Sequence, residues 1–310
     1  MPSVLSAKHF HDEKAAYAFV EARVWANGRV CPHCGTVDNS ALLGGKSTRL
    51  GVYKCRDCRK PFTVKVGTVF EASNVKLHIW LQAMHLLCAS KKGFSSNQLH
   101  RVLGVSLKTA WFMSHRIREA MRSGDLAPFG TGGGAVEVDE TFIGTDTDRV
   151  NKGMRRASHM NKIMTLVDRQ SGRARSIVVD NLRLPTVTAV VTENIAREAR
   201  LMTDEASHYI VVGRQFAQHG RVNHKAEEYV SRTDPTVHSN TVEGYFSIFK
   251  RGMRGTYQHC AKRHLHRYMA EFDFRYSERV ALGVNDTERA ARALSGIVGR
   301  RLKYRDSSAA

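Results

Sequence analysis

Long apolar runs are absent from this sequence. No stretch approaches the roughly 18 unbroken apolar residues that a membrane-spanning helix needs, so no membrane role is expected. The opening MPSVLSAKHFHDEK carries charge where a signal peptide needs an apolar segment, so a cytoplasmic, nucleoid-associated bacterial location is expected. Prolines number six in 310 residues and hydrophobic residues reach 42%, which argues against a disordered chain and allows a real core. Acids are also scarce: 29 against 48 Lys and Arg, for a net charge of +19. The shortage is concentrated. Residues 75–118 hold no Asp or Glu against seven Lys and Arg, and residues 244–270 hold none against six. Such tracts are the electrostatic footprint of a nucleic-acid binder, since each neutralised phosphate releases counterions. Neither tract has the bulky apolar face that an interfacial membrane helix uses.

Only six cysteines are present, and four of them form two C-x2-C pairs, Cys31-Pro-His-Cys34 and Cys55-Arg-Asp-Cys58, with 20 residues between. Disulfides are disfavoured in an intracellular chain, and this spacing predicts tetrahedral zinc on four thiolates. Such a site has no open position, so it stabilises a small fold rather than performing chemistry. Gly35 follows the first pair where the turn needs a permissive backbone. Cys88, in the apolar run Leu86-Leu87-Cys88-Ala89, is expected to be a buried thiol.

Periodicity then divides the chain. Ala16, Phe19, Val20 and Val24 predict an amphipathic helix within residues 1–27, and a zinc ribbon is expected over 28–72. Leu77, Trp80, Leu81, Met84, Leu87 and Cys88 predict a helix over 76–90, closed by Lys91-Lys92-Gly93. Ser95-Ser96 caps a short helix, Gly104-Val105 turns, and Ser106 caps a third helix to about Arg122. A short helix, a glycine turn and a capped basic helix over 73–123 is a helix-turn-helix pattern, with Lys108, Thr109, His115 and Arg116 as candidate DNA contacts. An ordinary three-helix packing unit would read the same way.

The glycine-rich residues 124–134 are expected to be a linker. Beyond them an α/β domain is expected over 135–283. It would hold a strand ending at Asp139, a hairpin about Gln170-Ser171-Gly172, a helix over 186–200 leading into strand 201–203, and helices from about Thr241. Residues 284–310 are expected to form a basic, helical, peripheral tail. The fold class is therefore an α+β multidomain chain. Three places in the second half pair acids with an element's end: Asp139-Glu140, Asp204-Glu205, and His238-Ser-Asn240-Thr-Val-Glu243. Each acid alone reads as a solvated loop residue. Together, carboxylates on adjacent strands and a crossing helix can hold the divalent cations that phosphoryl transfer on DNA requires.

The motifs in order are CPHCG, YKCRDCRKPFTVKVGTVFE, WLQAMHLLCASKKGFSS, LGVSLKTAWFMSHRIREAM, GAVEVDETFIG, MTDEASHY, VNHKAEEYV, and the run HSNTVEGYFSIFKRGMRGTYQ. From about residue 18 to 280 the chain resembles insertion-sequence transposases of the zinc-ribbon DDE group, the ISXO-type family. The resemblance implies an RNase H-like catalytic domain that binds Mg2+ or Mn2+ and cleaves and joins DNA. It matches Asp139 to the first catalytic acid and Asp204 to the second. Members vary at the third position, where Glu243, Asn240 and His238 all stand; Glu243 is preferred as a charged ligand. Lys250, two helical turns on, matches a basic residue used against the DNA end, with Arg251 and Arg254 as further DNA contacts. His219, His224 and Lys225 are expected to support the site or contact DNA. The implied partners are double-stranded DNA, as terminal inverted repeats and target, and further copies of the chain. A zinc-ribbon regulator without catalysis and a nuclease without strand transfer are the competing readings.

Overall fold

A computed structural model describes residues 3–124, 127–145 and 159–303. The chain divides into two compact units, Met1–Arg122 with Val284–Ala310, and Ser123–Gly283.

In the first unit, two short 3-10 turns precede helix α1 (Glu13–Val24), which Asp12 caps by accepting the Ala15 N–H. The ribbon is a three-stranded antiparallel sheet of β1 (Ser40–Leu42), β2 (Tyr53–Cys55) and β3 (Pro61–Phe62). Helix α2 (Leu77–Ala89) buries Leu77, Trp80, Leu81, Met84, Leu87 and Cys88, the stripe its periodicity demands. It stops at Ser90 in extended conformation, so Gly93 belongs to the following turn and not to the cap. Helix α3 (Ser96–Leu103) starts with a reciprocal capping box between Ser95 and Gln98. Gly104 ends it at φ 64°, a left-handed conformation that glycine adopts without penalty, and Ser106 caps α4 (Leu107–Met121).

The second unit is built on a mixed sheet of β4 (Ala135–Ile143), β5 (Asn161–Asp168), β6 (Ala174–Val179), β7 (Arg200–Thr203) and β8 (Gln218–Arg221). Its order is β6-β5-β4-β7-β8. The pairs β4–β5 and β5–β6 are antiparallel, whereas β4–β7 and β7–β8 are parallel. With helices on both faces this is an RNase H-like arrangement. The two-residue period of β4 sorts its side chains. Val136 and Val138 join a core with Val187, Val190 and Val191 of α5 (Leu184–Asn194) and Tyr209 and Val212 of α6 (Ser207–Gly213). Ile143 joins the opposite core with Val242, Phe246 and Phe249 of α7 (Asn240–Gly252) and Leu265, Met269 and Phe272 of α8 (Lys262–Ser277).

Four further expectations change. The helix expected over 186–200 begins at Leu184, with proline in its first turn, and ends at Asn194. Strand β4 continues to Ile143, so Asp139 lies inside it; only its parallel pairing with β7 stops, at Glu137. The described part of the expected linker is packed: Phe129 is buried and bridges Ile195. At Gly130, with φ 73°, an added Cβ would lie 2.5 Å from the Ala199 Cβ. Finally, the expected peripheral tail carries helix α9 (Asp286–Ser295), which packs on α2, buries Ala293 and Leu294, and inserts Arg289 to donate to the Cys88 carbonyl. Ile297 is also buried, and Thr68 pairs with Val298.

Candidate active site

The four ribbon cysteines converge. Their sulfur atoms all lie within 4.8 Å of one another, with Cys31–Cys58 at 3.7 Å and Cys34–Cys55 at 3.6 Å. Thiolates about 2.3 Å from a tetrahedral zinc stand about 3.8 Å apart, so the donor set fits zinc without rearrangement. Each knuckle turns through a left-handed residue after its second cysteine, Gly35 at φ 79° and Arg59 at φ 59°. The Thr36 hydroxyl and backbone N–H hydrogen-bond the Cys34 sulfur and pull its thiol down to about 6, toward the thiolate a metal takes. His33 instead contacts the Pro61 carbonyl at 3.3 Å. Behind the knuckles, Trp25 packs edge-on against Tyr53 and Phe62.

The acids of the second unit come from three elements. Asp139 stands on the α7-facing side of β4, two residues past the last β4–β7 pair, and Asp204 directly follows β7. Glu243 occupies the first turn of α7. Burial pushes the Asp139 carboxyl up to about 8; repulsion from Glu140, Asp204 and Glu243 adds to it, against one hydrogen bond from the Glu140 N–H. Asp204 is likewise raised, first by burial and then by Glu140 and Glu205. The charges of Asp204 and Glu243 both act on Asp139, and a divalent cation there would relieve that repulsion. The donors are all oxygens, which suits magnesium or manganese. Among the described residues only the four cysteines converge within 4.8 Å; the acids form a looser group. Glu140 turns to the other face of β4, where Tyr209 donates to it at 2.6 Å and His208 contacts it at 3.0 Å.

Glu243 is held by the Ser239 hydroxyl at 2.9 Å and by His224 at 3.2 Å. The His224 ring also contacts the Ser239 hydroxyl at 3.1 Å, and its backbone N–H donates to Glu205. Lys225 pairs with Glu205 at 3.4 Å. His219 contacts the Thr203 hydroxyl at 2.9 Å, one residue before Asp204; burial, then Arg221, pull its pKa down to about 4, so it is neutral at pH 7. His238, an alternative for the third position, lies 3.3 Å from Glu137. Its Nδ1 accepts from Arg169 at 2.9 Å, and burial and then Arg169 lower its pKa. Asn240 is exposed at the start of α7. Two residues matter that sequence reasoning passed over, Glu137 and Arg169. Glu137 is fully buried on the same strand face as Asp139 and pairs with Arg169 at 2.5 Å. An acid inside the alternating Val-Glu-Val-Asp was the available signal.

Two family models match the chain. Residues 132–277 match the model of the ISXO2-like transposase domain, and residues 11–61 match the transposase zinc-ribbon domain. The chain thus carries one domain similar to the ISXO2-like transposase domain and, before it, one similar to the transposase zinc ribbon. An uncharacterized protein in transposable element ISH50 of Halobacterium salinarum is 26% identical over 286 residues, covering 88% of this chain and 93% of the relative. Among solved structures, a chain of a simian T-cell lymphotropic virus intasome in complex with a PP2A regulatory subunit overlaps at TM-score 0.29 and 13% identity. That overlap covers 56% of this chain and 63% of the other, less than two thirds of its length, and carries no argument.

The basic residues expected to face DNA sort into two groups. Lys108 is exposed and Thr109 half-buried at the start of α4, while Arg251 and Arg254 are exposed. Lys250 is half-buried, its Nζ 5.7 Å from the centre of the Phe246 ring. His115 and Arg116, however, are 1% and 5% exposed. The Arg116 guanidinium donates to the carbonyls of Val69, Glu71 and Leu302, and His115 packs on Trp111. These two are internal supports, because the apolar stripe of α4 runs through Met113 and Ile117 and carries their side of the helix into the core.

Proposed function

We propose that the chain is a DNA transposase that binds the ends of an insertion sequence, cleaves the phosphodiester there and joins the freed 3′-OH to target DNA. The observation that carries this reading is the placement of Asp139 on β4, Asp204 at the end of the neighbouring β7 and Glu243 in the first turn of α7, with Asp139 buried and repelled by the other two. These acids would hold magnesium or manganese, which supplies charge neutralisation at the attacking and leaving oxygens. Asp139 and Asp204 present oxygens from neighbouring strands, and Glu243 closes the set from α7. Ser239 and His224 fix the orientation of Glu243, and Lys250 offers a charge to the DNA backbone from the same helix. Zinc on Cys31, Cys34, Cys55 and Cys58 holds the ribbon. The segment α3–Gly104–α4, with Lys108 and Thr109 outward, supports a helix-turn-helix that positions the duplex. Cutting two ends together calls for more than one copy of the chain.

The test is incubation with Mg2+ and duplex DNA carrying the element's terminal repeats. Joined products are expected; cleavage without joining would favour a nuclease, and binding alone a regulator. Asp139→Asn and Asp204→Asn should each abolish cleavage and leave duplex affinity intact. Normal cutting by either variant overturns the assignment. Loss of cleavage in Asn240→Ala but not in Glu243→Gln would move the third position to Asn240.

A further inference from the structure

We propose that Glu137 and Arg169 are a positioning pair that sets the helix bearing Glu243 against the strand bearing Asp139. The inference rests on the reading of Asp139, Asp204 and Glu243 as a cation site and deepens it.

The first turn of α7 is capped in an unusual way. Ser239 stands at the N-cap, yet its side chain makes no capping bond; its hydroxyl donates to Glu243 instead. The orphan N–H groups of Thr241 and Val242 donate to Glu137 Oε2 at 2.9 and 2.8 Å. A carboxylate at that position satisfies two donors and meets the positive end of the helix dipole. Because the cap comes from β4, the helix start is tied to the strand that carries Asp139. Two residues along a strand is about 6.6 Å, and the intervening side chain points away, so Glu137 and Asp139 share a face.

Arg169, directly after β5, completes the tie. Its Nε donates to Glu137 Oε1 at 2.5 Å. Its Nη1 donates to the Thr236 carbonyl at 2.6 Å, and its Nη2 to the His238 carbonyl at 2.7 Å. The planar, rigid fork of arginine suits such a three-way contact. Arg169 thus fixes the segment entering α7, and Glu137 fixes the first turn itself. Both Glu137 oxygens are spent in these contacts on a fully buried side chain, so Glu137 is a support and not a ligand. The arrangement also releases Ser239 from capping, which lets it hold Glu243.

The experiment compares Glu137→Gln, Arg169→Lys and Asp139→Asn with the parent protein. It reads Mn2+ affinity by calorimetry, amide exchange at Thr241 and Val242, and kcat and KM for terminal-repeat DNA. In Glu137→Gln, exchange at those two amides should accelerate and Mn2+ affinity fall 10- to 100-fold, the range for supports of metal ligands. The kcat should fall in step while KM for DNA holds. Arg169→Lys keeps the charge but loses the fork; it should lower Mn2+ affinity by about tenfold, and it carries the test if Glu137→Gln does not fold. Parent-like Mn2+ affinity in folded Glu137→Gln and Arg169→Lys, with Asp139→Asn impaired, overturns the pair and leaves the cation site standing. Loss of Mn2+ binding in Glu137→Gln with unchanged amide exchange would make Glu137 a ligand and also overturn it. Parent-like affinity in Asp139→Asn removes the cation site, and the positioning role with it.

Discussion

The four ribbon cysteines and the proposed cation site of the sheet domain are built on opposite plans. The ribbon's thiolates come from two tight turns, and their sulfurs already stand at zinc-like separations. The acids of the sheet domain come from β4, the end of β7 and the start of α7, and they form a looser group in which Asp204 and Glu243 repel the buried Asp139. A local site is closed by the backbone conformation of a few residues. A dispersed one depends on the whole domain, and in the proposed arrangement on Glu137, which ties the start of α7 to β4. Soft sulfur donors with no open position suit a permanent structural ion; partly protonated oxygens suit an ion that arrives with the reaction.

The largest effect that would break this contrast is on the ribbon. Zinc removal by a strong chelator, or Cys55→Ser, should unfold residues around β1–β3, since structural zinc contributes an apparent binding free energy of about 10–16 kcal/mol. Loss of one zinc per chain and of the Trp25–Tyr53–Phe62 packing would be read by metal analysis and fluorescence. Amide protection in the sheet of the second unit should survive. Collapse of both units together would show that the ribbon is not a separate folding element.

The second effect is on the acids. A cation must displace the proton that Asp139 holds below about 8, so Mn2+ affinity should rise with pH and level off above that value. In Asp139→Asn the slope should shrink. A pH-independent affinity in the parent protein would contradict the raised value.

A smaller effect follows by linkage. The folded pKa of Asp139 lies above its usual 3.8, so between 3.8 and about 8 the folded, cation-free protein binds the extra proton. Stability from this group is therefore full at the acid end and is lost as pH rises through about 8. Without metal, Asp139→Asn should melt higher than the parent at pH 8, with roughly 2–4 °C for each kcal/mol gained, and no higher at pH 4. Equal melting at both pH values would argue against the burial cost.

The smallest effect separates the basic residues. Lys108→Ala should lower duplex affinity and reduce the salt dependence of binding by about one phosphate contact. Arg116→Met should instead lower the melting temperature, because three backbone carbonyls lose their donor, and leave the salt slope unchanged.

The same contrast explains what the sequence could reveal. The C-x2-C spacing was sufficient for the ribbon because the turn and the ligands are adjacent in the chain. Strand and helix periodicity located α2, α3, α4 and the β5–β6 hairpin, since each buries its stripe locally. Boundaries set by tertiary contacts were harder. The glycines before β4 look like a linker by composition, yet Gly130 is required by close approach to Ala199. His115 and Arg116 sit in an acid-free basic tract, and only packing reveals that they point inward. Glu137 was hidden for a related reason: its place in Val-Glu-Val-Asp marks a buried acid, but the Thr241 N–H it caps lies 104 residues later and nothing local names that partner.

Because α9 returns to the first unit, the RNase H-like domain is an insertion and not a C-terminal appendage. A fragment stopping after α4 would lack Ala293, Leu294 and Ile297, and would expose the α2 surface that α9 covers. Testing whether the first unit alone binds DNA therefore calls for excision of the middle and a short splice between residues 122 and 284, which keeps both outer segments together.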